Sequence, residues 1–99
     1  MVSTAIQKHP IVITQQPKMF IGTIGQVTHF HVEAEGKGLT YQWQYSTGGP
    51  WSTTGLPGYL TPTLEVTVTN ARYSYFYRCL ITDEDGYSIT SDVVRLLRP

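Results

Sequence analysis

The 99-residue chain is short of several things at once. It holds a single cysteine, Cys79, so no internal disulfide can form. That suits a reducing compartment or a secreted lineage that does without disulfides. Seven Lys and Arg balance 7 Asp and Glu, and no basic stripe is present, which argues against a nucleic-acid partner. No apolar run approaches the ~18–20 residues of a membrane span, so direct membrane insertion is not expected. The first ten residues lack the apolar centre of a signal peptide. The one asparagine, Asn70, is followed by Ala71-Arg72, which leaves no N-glycosylation acceptor. Gly-x-Ser-x-Gly, His-Glu-x-x-His and phosphate-binding glycine loops are all missing. The expectation is a protein without cofactor or catalytic residues, and not an enzyme.

What is present reads as strand. The hydrophobic fraction of 40% and the charged fraction of 14% are those of a folded domain, not a disordered tail. Tyr, Val, Ile and Thr are abundant, and these suit a pleated, half-buried surface. Turn clusters recur at Gly22–Gly25, Gly36–Gly38, Ser46–Pro50, Gly55–Gly58 and Asp83–Gly86. Short strands punctuated this way predict an antiparallel sandwich rather than a βαβ repeat. Strands are expected at 11–16, with a continuation at 19–21 beyond Pro17, and at 26–34, 39–46, 63–69, 75–82 and 87–97. A short edge strand is expected at 51–53. Alternation places Phe30 and Val32, Trp43, Leu64, Val66 and Val68, and Tyr77, Cys79 and Ile81 inward. In the last strand Ile89, Ser91 and Val93 share one face, whereas Val94 and Leu96 fit the opposite phase. A bulge near Val93 would reconcile them.

Three landmarks converge. Trp43 sits centrally in Tyr-Gln-Trp-Gln-Tyr, Tyr77 precedes Cys79 by two residues, and a Leu-x-Val-x-Val strand lies between them. That is the order of core Trp, tyrosine corner and second Cys in an immunoglobulin-like sandwich. The chain resembles bacterial immunoglobulin-like domains, tandem modules of large surface proteins. The resemblance is carried by Gln16-Pro17, Gly25, Phe30–Gly36, Leu39–Ser46, Tyr75–Asp83, Gly86 and Thr90-Ser91. It implies an all-β Greek-key sandwich of about seven strands over 11–97, with an extension or linker at 1–10 and a boundary to the next module at 98–99. It also implies structural core roles for Phe30, Val32, Trp43, Leu64, Tyr77 and Cys79, with the Tyr77 hydroxyl tying the corner. Val32 stands where antibody-type domains place the first Cys, which forgoes about 2–4 kcal/mol of loop-closure stabilisation.

Several candidate sites compete with plainer readings. His29, His31 and Glu33 share the outward face of one strand at ~6.6–7 Å spacing, which suggests a metal or simply a solvated polar face. Asp83-Glu84-Asp85 is too short for a calcium loop and reads as a turn before Gly86. Trp51 and Tyr59, in the Gly/Pro-rich middle, form the candidate recognition surface. The functional expectation is a spacer or protein-adhesion module of a longer bacterial surface or secreted protein. Its partners would be neighbouring modules, a surface protein or a glycan. The alternative is a carbohydrate-binding module using Trp51.

Overall fold

Alternating β-branched and aromatic residues form ten strands in the computed structural model, which describes residues 11–99. In chain order they are β1 Val12–Gln15, β2 Phe20–Ile21, β3 Val27–His31, β4 Glu33–Glu35 and β5 Thr40–Ser46. There follow β6 Ser52–Thr53, β7 Thr63–Thr67, β8 Phe76–Thr82, β9 Ser88–Thr90 and β10 Val94–Leu97. A 3-10 turn, Ala71–Ser74, joins β7 to β8. The expected extension at 1–10 lies outside the described residues.

Ten strands arise from seven expected segments because three of those segments break in two. Each break has a local cause. Pro17, which offers no N–H to a ladder, lies between β1 and β2. Before it, β1 pairs antiparallel with β4; beyond it, β2 pairs with β10. That second pairing is parallel, an exception to the antiparallel pattern expected throughout. Between β3 and β4, Val32 sends its N–H to the Pro62 carbonyl at 3.0 Å, while β3 pairs with β7 and β4 with β1.

The third break is the bulge. Thr90 stands opposite Leu80 and Val94 opposite Tyr77, so four residues on one strand span three on the other. The side chains follow this shift: Ser91, Val94 and Leu96 are buried, while Val93 turns outward. Val93 therefore does not share the face of Ser91 as strict alternation predicted. Ser91 compensates the disrupted ladder. Its N–H donates to the Cys79 carbonyl, and its Oγ accepts the Cys79 N–H, both at 2.9 Å.

Two layers result. One holds the β1–β4 and β3–β7 pairs; the other runs β2-β10-β8-β5-β6, with β9 also on β8. Phe30, Val32, Leu64, Val66 and Val68 from the first layer meet Trp43, Tyr77, Cys79, Ile81, Val94 and Leu96 from the second in one buried cluster. Trp43 is fully buried, and its indole N–H donates to the Thr61 carbonyl at 2.8 Å, so the largest core residue hides no unpaired donor. The free thiol of Cys79 lies directly opposite Trp43 in the β5–β8 ladder.

The strand directions separate the two ends of the sandwich. β1 begins beside Glu35, at the end carrying the β4–β5 loop and the β8–β9 turn, which are joined by a Glu84 N–H to Lys37 carbonyl bond. β10 finishes beside Ile21 at the other end, where Arg98 reaches Asn70 Oδ1 at 3.0 Å and lies 4.2 Å over the Tyr73 ring. The described chain thus enters at one end and leaves at the other.

Candidate functional site

The outward phase of β8 determines the surroundings of Trp51. Arg78 and Gln44 are cross-strand partners on the outer face, and the guanidinium Nε donates to Gln44 Oε1 at 2.8 Å. So fixed, the guanidinium lies 4.2 Å above the Trp51 ring. Trp51 is half-buried and roofed by a cation, not presented as an open platform. A second such pair lies beyond it, with Arg95 4.9 Å over the ring of its cross-strand partner Phe76. Tyr59 serves differently. Its carbonyl accepts the Trp43 N–H at 2.8 Å, and its ring packs against the core cluster. The structure therefore places the two expected recognition residues in separate roles, one beside β6 on the outer face and one lining the core.

The outward residues of β3 and β4 form pairs along and across strands. His29 Nε2 lies 3.5 Å from Glu65 Oε1, its partner on β7. His31 uses both ring nitrogens: Nδ1 lies 2.6 Å from Thr63 Oγ1 and Nε2 lies 3.2 Å from Glu33 Oε2. Among the described residues no group of three His, Cys, Asp or Glu side chains converges on a metal position. Asp83 acts as a turn residue, its Oδ1 accepting the N–H groups of Asp85 at 2.9 Å and Tyr87 at 3.0 Å. Gly86 closes this turn at a φ of 85°, in the left-handed region that glycine adopts freely.

Cys79 is chemically quiet. Burial pushes its thiol up to about 12, against a slight lowering by a backbone hydrogen bond from Gln42, so almost no thiolate exists near neutrality. The corner tyrosine departs from expectation. Tyr77 is buried, yet its hydroxyl finds no partner among the described residues. The tie across the sandwich is made instead by Tyr73, in the 3-10 turn, whose hydroxyl donates to the Gly22 carbonyl just after β2. The turn lifts Tyr73 towards β2, while Tyr77 sits within β8 with its ring 5.6 Å from that of Phe30.

Around Tyr77 the inner face opens. Tyr45, Thr54, Gly55, Leu56, Arg72, Tyr75 and Tyr77 line a cleft of about 220 Å³ at the end where the chain leaves. Tyr45 faces Tyr77 across the β5–β8 ladder, and the Tyr45 and Tyr75 rings lie 5.4 Å apart. The cover over this end is Thr54-Gly55-Leu56, a turn segment with little side-chain mass. A methyl group added at Gly55 would meet nothing within 4 Å. Arg72 folds back from the 3-10 turn, one guanidinium nitrogen donating to the Thr67 carbonyl at 2.8 Å.

Strand phase puts Tyr45 on the face of Trp43, and Tyr75 and Tyr77 on that of Cys79, without marking the three as a site. The available signal was chemical: three phenols gathered at one end of the inner face, each with a hydroxyl to satisfy.

The architecture has solved counterparts. Over 91% of this chain and 97% of the other, it is similar to the D1 domain of Duf (Kirre), with a TM-score of 0.63 at 14% identity. It is also similar to the titin domains Z1Z2 in complex with telethonin, with a TM-score of 0.63 at 20% identity. That likeness covers 93% of this chain and 49% of the titin chain, about half its length. The sequence matches no family model and no curated relative. The fold of the chain is an immunoglobulin-like β-sandwich.

Proposed function

We propose that the chain is a non-catalytic module of a larger bacterial cell-surface or secreted protein, acting as a structural spacer and/or protein-adhesion domain. One observation carries the reading: the first strand begins beside Glu35 and the last finishes beside Ile21, at opposite ends of the sandwich. Modules with that polarity join end to end and extend a chain by roughly a domain length each. The sequence motifs from Gln16-Pro17 to Thr90-Ser91, similar to those of bacterial surface modules, support the same setting. The quiet Cys79 thiol supports a structural role for the one nucleophile in the core.

Two measurements test it. An antibody against the domain labels intact source cells, or their medium, if the parent protein is exported; labelling only after lysis contradicts the setting. Small-angle scattering of chains carrying one, two and three copies gives a maximum dimension that grows in even steps. Copies that fold back on one another, with no such growth, would end the spacer reading.

A further inference from the structure

The tyrosine-lined cleft combines three features that the sealed core lacks. First, it holds an unsatisfied donor. Tyr77 is 1% exposed, and its hydroxyl makes no hydrogen bond among the described residues. The charge of Arg72 and the phenols of Tyr75 and Tyr45 all act on that hydroxyl, and the same three side chains line the cleft. Tyr77 is itself one of the residues that line the cleft. Burial pushes it up to about 12, so it stays protonated and able to donate.

Second, the only charge among the described lining residues is positive. Arg72 has one nitrogen on the Thr67 carbonyl and no carboxylate within ion-pair distance among the described residues. A guanidinium carries five N–H donors, so capacity remains for a second acceptor. Third, the remaining walls are the aromatic faces of Tyr45 and Tyr75 and the side chain of Leu56. The volume of about 220 Å³ far exceeds the ~30 Å³ share of one water molecule.

We propose that this cleft is a binding site for a carboxylate carried on a short apolar or aromatic stem. The carboxylate would accept from Arg72 and the Tyr77 hydroxyl, a charge-assisted pairing for which arginine geometry is suited. Its stem would lie against Tyr45, Tyr75 and Leu56. The same chemistry is offered by a free organic acid, by an acidic side chain of a peptide and by a peptide C-terminus. This site is independent of the spacer reading, since either can hold without the other.

The test is an NMR titration of the isotopically labelled 99-residue chain with sodium propionate and sodium benzoate, with propionamide and benzamide as uncharged controls. The expected result is saturable shifts of the Thr54, Gly55, Leu56 and Arg72 amides with the acids and none with the amides. Tyr77→Phe should weaken binding about tenfold while the domain stays folded, because the lost hydroxyl bonds to none of the described residues. Arg72→Gln should weaken it further.

A capped peptide with one glutamate and an amidated end, and an acetylated peptide with a free C-terminus, then identify the source by competing with benzoate. Competition by neither leaves the free acid as the ligand. Equal shifts from acids and amides, no saturable shift from either acid, or unchanged affinity in Tyr77→Phe would each overturn the assignment.

Discussion

Two cross-strand pairs in the same ladder, two residues apart, have opposite fates. Trp43 opposite Cys79 is sealed, with the indole N–H bonded to Thr61 and the Cys79 N–H held by Ser91. Tyr45 opposite Tyr77 borders a cleft and leaves a phenol unpaired. Strand phase is identical for both pairs, so alternation cannot be what separates them. The difference lies in what closes over the edge of the sheet. Beside Trp43, the carbonyls of Tyr59 and Thr61 fold onto the backbone and the ring. Beside Tyr45, the cover is Thr54-Gly55-Leu56, which has too little bulk to fill the space. Inward-facing therefore means core only where a second layer or a loop completes the enclosure.

The largest test of this contrast is Trp43→Ala. Emptying a fully enclosed site should cost about 3–5 kcal/mol in denaturant unfolding, whereas Tyr45→Ala, beside an existing opening, should cost clearly less. Equal losses would mean that both ends are packed alike.

A second test uses alkaline pH. The Cys79 thiol ionises near 9 when unfolded and near 12 when folded, so the unfolded state binds fewer protons between those values. Its contribution is complete below pH 9 and is lost as pH rises towards 12, with a slope approaching about 1.4 kcal/mol per pH unit. Tyr77, raised from 10 to about 12, adds its own decline above pH 10. Cys79→Val should flatten the first part of the decline and leave the second, measured as unfolding midpoint against pH.

Ser91→Ala is the next smaller effect. It removes the acceptor of a buried N–H and should cost about 1–3 kcal/mol. The smallest effect contrasts the two tyrosines. Tyr73→Phe breaks the bond to Gly22 and should cost about 1 kcal/mol, while Tyr77→Phe should be neutral or slightly stabilising. Thermal unfolding of both variants separates a hydroxyl that ties the sandwich from one that does not.

Much of the layer structure was legible because it depends on period-two patterning. Phe30 and Val32, Leu64, Val66 and Val68, and Tyr77, Cys79 and Ile81 all face inward as alternation requires. The phase reversal before Val94 was legible too, since no unbroken strand could bury Ser91 and Leu96 together. The parallel pairing of β2 with β10 was not, because Pro17 marks a break without saying which strand the chain meets next. The tyrosine that bonds across the sandwich was misassigned for a related reason. The motif placed it two residues before Cys79, but the direction taken by the 3-10 turn puts Tyr73, not Tyr77, within reach of Gly22. Trp51 looked like a free aromatic because its partner, Arg78, lies 27 positions away and joins it only through the β5–β6 and β5–β8 pairings.

The bulge gives the last strand a parity. Odd positions Ile89 and Ser91 face the interior before it, and even positions Val94 and Leu96 after it. Removing one of Asp92 and Val93 would leave three residues opposite three, so Val94 and Leu96 would fall into the same phase as Ile89 and Ser91 with no bulge. Adding one residue instead would leave five opposite three, two positions that the partner strand does not match. The last strand therefore has room to lose a residue at this step and little room to gain one.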